Sequence, residues 1–117
     1  MAVMDLVDDS TVGGIEADLA HVAELRAAGS AREAMMALLP VLNAHPTNAR
    51  ARLEMAGVLA DLGRPDEALS LYALLARRPD APAAAWEGLA DLLTKGGQDA
   101  AAQACLRRAV AIAPGRT

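Results

Sequence analysis

Gly29, Gly63 and Gly97 stand 34 residues apart, and Ala34, Ala68 and Ala102 keep the same interval. Two series of small residues in one register describe a unit written three times, over 15–48, 49–82 and 83–116. A period of this length belongs to helical units that cannot bury an apolar face alone and therefore stack. At 117 residues the three units make one small domain, built to present a surface.

Composition narrows the class. Alanine supplies 29 positions, aromatics are 2%, and there is no Phe. Alanine has the best helix propensity and lets helices approach closely, whereas a sheet would lack β-branched residues to pack with. The chain is therefore expected to be all-α. The net charge of −4 argues against nucleic acid, because phosphate binding needs clustered cations and only Arg107 and Arg108 adjoin within a helix. One cysteine, Cys105, excludes an internal disulfide and a Cys-rich metal site. No apolar run reaches the ~18 residues of a membrane span. Met1 to Leu6 has no basic residue of the kind that opens a signal peptide, so the expected address is cytoplasmic.

Each unit reads as two helices around a tight turn. Ile15, Leu19, Val22 and Leu25 form a helical stripe over Ile15 to Ala28, which Gly29 ends as a C-cap. Ser30-Ala31-Arg32-Glu33 has the capping-box pattern, and its helix runs to about Asn43 before Pro46. Thr47 or Asn48 caps the next helix, to Leu62, and Gly63 ends it. Pro65 suits the first turn of the partner helix, with Asp66 and Glu67 at its positive end. Asp80 can cap a helix holding Trp86, Leu89, Ala90 and Leu93, which ends at Lys95-Gly96-Gly97. The last helix spans about Asp99 to Ala113 and stops at Pro114-Gly115. Linkers this short make sequential helices antiparallel.

These residues resemble the tetratricopeptide repeat, a helix-turn-helix family with a 34-residue unit. Trp86, Leu89, Ala90, Leu93, Gly97, Ala102, Leu106, Ala109 and Pro114 fall where its pattern wants them. Met55, Ala56, Leu59, Gly63, Glu67, Ala68 and Tyr72 carry the second unit, and Gly29, Glu33, Ala34, Leu38 and Pro46 the first. The first helix departs, with Asp18 and His21 where bulky apolar residues are usual. The resemblance implies a right-handed α-solenoid of antiparallel helix pairs, with a concave groove lined by the first helix of each pair. Ala56, Ala68, Ala90 and Ala102 would sit at close helix crossings, and Tyr72 and Trp86 would fill space between layers.

In that register the groove is lined by Glu16, Leu19, Ala23 and Arg26, then Arg50, Leu53, Gly57 and Ala60, then Glu87, Asp91, Thr94 and Lys95. A shallow surface of this mixture suits an extended or helical peptide, so the expected partner is a protein or peptide. Chaperone-binding members of the family hold a C-terminal carboxylate in a clamp of Lys, Asn and Arg. The matching positions here are Leu19, Ala23, Gly57, Glu87 and Asp91, so heat-shock chaperone tails are not expected partners. His21 reads as a partly buried core residue, since Leu25 and not a second ligand stands four residues on. Cys105 reads as a small hydrophobe rather than a reactive thiol. Nothing has the pattern of a nucleophile–base pair, a phosphate loop or paired catalytic carboxylates, and Gly13-Gly14 and Gly96-Gly97 read as helix boundaries. The expected function is non-catalytic and without a cofactor or metal: a protein–protein interaction scaffold.

The ends add a second expectation. On the final helix Leu106, Ala109, Val110 and Ala113 can face inward, which leaves Cys105 and Ile112 outside. Ile112 stands one period after Arg78, an apolar residue in place of a charge. That end is expected to be covered by further chain or by another copy in a homo-oligomer. The alternative function is accordingly an N-terminal regulatory or oligomerising module of a larger protein, an enzyme among the options. The segment 1–14 mixes Met1, Val3, Met4, Leu6 and Val7 with Asp5, Asp8 and Asp9, and reads as an amphipathic cap, a strap into a neighbour's groove, or disorder.

Overall fold

The computed structural model describes the backbone of residues 2–113, with side chains from Gly14 onward. The described residues form six helices: α1 (Ala2–Ala27), α2 (Ala31–Ala44), α3 (Ala49–Asp61), α4 (Pro65–Ala76), α5 (Ala83–Lys95) and α6 (Asp99–Ile112). α1 does not start near Ile15 but carries its helical backbone through Gly13 and Gly14, which are not boundaries. The contacts of segment 1–13 and the stop at Pro114-Gly115 lie outside the described residues.

One turn is built three times. Gly29, Gly63 and Gly97 have φ of 81°, 80° and 82°, a left-handed conformation that only glycine adopts without strain. Around each, the following amide reaches back over the helix end. Ser30 N–H donates to the Leu25 carbonyl at 2.8 Å, Arg64 to Leu59 at 2.9 Å and Gln98 to Leu93 at 2.8 Å. This Schellman closure satisfies carbonyls that the helix leaves unpaired and folds the next helix back antiparallel.

The helix starts are less uniform. Asn48 caps α3 by accepting from the Ala51 amide at 2.9 Å, and Pro65 occupies the first turn of α4. Ser30 precedes α2, but its side chain makes no cap bond, so the expected capping box does not form. Nor does Asp80 cap α5. That helix begins after Pro82, and Asp80 instead accepts from Arg78 Nε at 3.2 Å. Asp80 stands two residues before the N-cap position, which Pro82 occupies. α2 also runs through Pro40, whose missing N–H would have faced Met36; both residues are exposed, so the freed carbonyl meets water.

The small residues decide how the helices cross. Ala34, Ala56 and Ala68 are fully buried and Ala90 and Ala102 are 2% exposed, as the register predicts. Their size lets facing helices close on Leu and Val from the neighbouring turns. Leu19, Val22, Leu38, Val41, Ala51 and Val58 form one core between α1, α2 and α3. Leu75, Ala85 and Leu89 form another between α4 and α5, and Leu59, Ala68 and Leu92 link the two. The apolar layer thus runs along the stack, and the radius of gyration of 15.7 Å exceeds the ~13 Å of a globular chain of this length. This is an all-α solenoid of helical hairpins.

Candidate functional site

The curvature follows from which helices touch. α1 packs on α3 and α3 on α5, whereas the backbones of α2, α4 and α6 do not approach one another closely among the described residues. The first helices of the hairpins therefore form the inner layer and the second helices splay on the outside. The expected groove residues lie on these inner helices.

They divide by exposure. Glu16, Ala23, Arg50, Asp91, Thr94 and Lys95 are exposed, and Arg26, Leu53, Ala60 and Glu87 are partly so. Leu19 is not a groove residue: at 1% exposure it belongs to the core of the first hairpin. Gly57 is also buried, because the Arg26 guanidinium lies over it where any Cβ would overlap. A period-based register places residues on a helix face to within a turn. It cannot tell a groove floor from a core that lies one residue away around the same helix.

The charges of this face are arranged in pairs across the helices. Arg26 of α1 donates through Nε to Asp61 at 2.8 Å and through Nη1 to Glu54 at 3.1 Å, both on α3. Half-burial by itself would lower its pKa, yet the hydrogen bonds to Asp61 and Glu54 raise it above the ordinary value. Arg50 of α3 donates to Glu16 of α1, and Lys95 pairs with Asp91 one turn away at 3.0 Å. Beside Arg26, the Tyr72 ring lies against Gly88, where a Cβ would meet it. Burial raises the Tyr72 hydroxyl above its ordinary pKa, while the nearby Arg26 charge works against that rise. Arg26, Arg50, Leu53, Glu54, Tyr72 and Ala84 together line a hollow of about 240 Å³. Tyr72 thus does more than fill space between layers.

Glu54, Asp61 and Tyr72 were not among the predicted groove residues. A signal for the charge partners exists in the sequence: Glu16 and Arg50 stand one period apart, and Arg26 and Asp61 one period and a residue. Opposite charges at that interval fall side by side on adjacent inner helices. Nothing comparable marks Tyr72, which reaches the inner layer from α4.

The far end differs from the expectation in detail. Ala109 is buried, but Leu106 and Val110 are 40% and 39% exposed rather than turned inward. Cys105 is half-buried against the core of α4 and α5, and burial raises its thiol pKa. Ile112 is 46% exposed, as expected. It borders a cleft of about 770 Å³ that also holds Arg77, Arg78, Trp86 and Arg108, with the Arg108 guanidinium 5.1 Å above the Trp86 ring. His21 is not a core residue; it is exposed beside Glu24, 3.9 Å away.

Stacked hairpins with an inner helix layer, glycine turns at one period and small residues at each crossing define a helical-repeat protein. The family model for the tetratricopeptide repeat matches residues 25–84, half of the chain, from the last turn of α1 into α5. The chain belongs to the tetratricopeptide repeat family, whose repeats mediate protein–protein interaction. No curated protein matches it. Among the described residues no helix is long and apolar enough to cross a membrane.

Proposed function

We propose that this chain is a non-catalytic interaction module that takes a peptide or protein partner on the concave face of α1, α3 and α5. The observation that carries this reading is the inner layer itself. Partly exposed Leu53 and Tyr72 lie between charges that are already paired, Arg26 with Glu54 and Asp61, and Arg50 with Glu16. A face whose charges are internally satisfied offers apolar area without a strong field of one sign. That suits a segment bound through alternating side chains rather than a polyanion, so nucleic acid is not a proposed partner. Contact residues would be drawn from Glu16, Ala23, Arg26, Arg50, Leu53, Ala60, Glu87, Asp91, Thr94 and Lys95. Glu87 and Asp91 stand where a clamp for a chaperone tail would need cations, which argues against that partner. A lone thiol fits the reducing cytoplasm.

The test is partner recovery from a lysate by the wild-type chain and by an Arg50→Glu/Asp91→Lys variant. Both residues are exposed, so the fold should survive the change. The variant should lose partners that the wild type retains. Equal recovery would rule out the concave face as the binding surface.

The exposed face of α6 favours a second reading, an N-terminal regulatory or oligomerising module within a larger protein, such as an enzyme. The apparent mass of the native protein on an immunoblot of its own cells separates the two. A band near 12.1 kDa would remove the larger-protein reading.

A further inference from the structure

Leu38, Tyr72 and Leu106 hold one position in the three hairpins, and Leu42, Ala76 and Val110 hold the next turn of it. In the first hairpin Leu38 is 0% exposed and Leu42 packs on the core, with α3 laid against α2. In the second, Ala76 is 7% exposed and Tyr72 is half-buried, with α5 laid against α4. On α6 the equivalent Leu106 and Val110 are 40% and 39% exposed, and no helix follows α6 among the described residues. The stripe is thus a seat for a helix of the inner-layer type. Beside it stand Arg107 and Arg108, and from residue 100 onward the sequence has three arginines and no carboxylate.

The N-terminal stretch of the sequence is its complement. Residues 1–25 contain six carboxylates (Asp5, Asp8, Asp9, Glu16, Asp18 and Glu24) and no Lys or Arg. The backbone is helical from Ala2. At helical spacing, Val3, Leu6 and Val7 recur at i, i+3 and i+4, while Asp5, Asp8 and Asp9 fall on the other side. That is an apolar stripe with acidic flanks, matched to an apolar stripe with basic flanks. The two belong to the first and the last hairpin, and the described part of α1, from Gly14 on, shares no close backbone approach with α6. One chain therefore carries both halves of the interaction.

We propose that the acidic N-terminal stretch of α1 from a second copy of this chain docks on the Leu106–Val110 stripe of α6, giving head-to-tail self-association. The contact joins unlike surfaces, so it propagates into chains of molecules or closes into a ring. It is independent of the concave face. Partner capture and self-association are separate readouts, and either can fail alone.

The experiment is sedimentation or light scattering of the full chain over a concentration series, with a thermal melt of each variant. Wild-type mass should rise with concentration. It should fall back in about 1 M salt, where screening acts within ~3 Å. Asp5→Lys/Asp8→Lys/Asp9→Lys at the head, or Arg107→Glu/Arg108→Glu at the tail, should each weaken association at least ~10-fold by bringing like charges face to face. Both sets in one chain restore opposite charges and should restore association. That rescue also separates a lost contact from a lost fold. A wild type that stays monomeric throughout would overturn the proposal. So would association that survives either reversal, or a folded doubly reversed chain that fails to associate.

Discussion

Leu38 and Leu106 occupy the same place in the first and third hairpins, yet one is sealed and the other is 40% exposed. Their local surroundings repeat. Each follows a glycine turn at φ near +80° and a buried alanine, Ala34 or Ala102. The difference lies in the neighbour, because α3 lies against α2 while no helix follows α6 among the described residues. In a stacked array each hairpin makes its own turn, but burial of its outward stripe depends on the unit that follows.

Truncation tests that contrast most directly. Leu38→Ala should cost about 2–5 kcal/mol, as expected for deleting a fully buried leucine, whereas Leu106→Ala should cost less than about 1 kcal/mol in the monomer. Urea melts at low protein concentration would show it, and equal losses would mean that α6 is covered after all.

The glycine turns should behave in the opposite way. Gly63 and Gly97 have φ of 80° and 82°, with no atom within 4 Å of an added Cβ. The cost of Gly63→Ala or Gly97→Ala is then backbone strain alone, about 1–2 kcal/mol at both sites. A large difference between the two melts would show that turn strain depends on the next hairpin and not on the turn.

The ion pairs give a smaller contrast. Arg26→Met leaves Glu54 and Asp61 without their shared partner on a half-buried surface, and should cost about 1 kcal/mol. Arg50 pairs with Glu16 in the open, so Arg50→Met should stay within about 0.5 kcal/mol. Melts at low and high salt would rank them, and a larger loss at Arg50 would reverse this account of the inner layer.

The smallest effect should come from pH. Burial raises the Tyr72 hydroxyl above its ordinary value of 10.0. A pKa raised on folding contributes stability below the unfolded value, and that contribution is lost as pH rises through the folded one. Stability should therefore decline above about pH 10. Tyr72→Phe should flatten the decline, and an unchanged slope would assign it to other groups.

Much of the fold was legible without coordinates, for reasons specific to the residues that carried it. Gly29, Gly63 and Gly97 report a left-handed backbone requirement that no other residue meets as cheaply. Ala34, Ala68 and Ala102 report close helix approach. The candidate site was less legible. Leu19 and Leu53 stand one period apart, yet Leu19 is core and Leu53 borders the inner hollow. Ser30 and Asp80 have the chemistry of caps, but neither caps, because a side chain's nearest partner is set by the path of the loop around it.

The amino-acid sequence by itself determined the unit, its length, its turns and the side of each helix that is apolar, since these depend on contacts within a few residues. Only the tertiary structure decided which apolar stripe is covered and which charges meet. Arg26 finds Asp61 and Glu54, Tyr72 enters the inner layer, and Leu106 with Val110 is left open. Those outcomes depend on how one hairpin leans on the next, and the curvature of a stack is a sum of small rotations that no single repeat specifies.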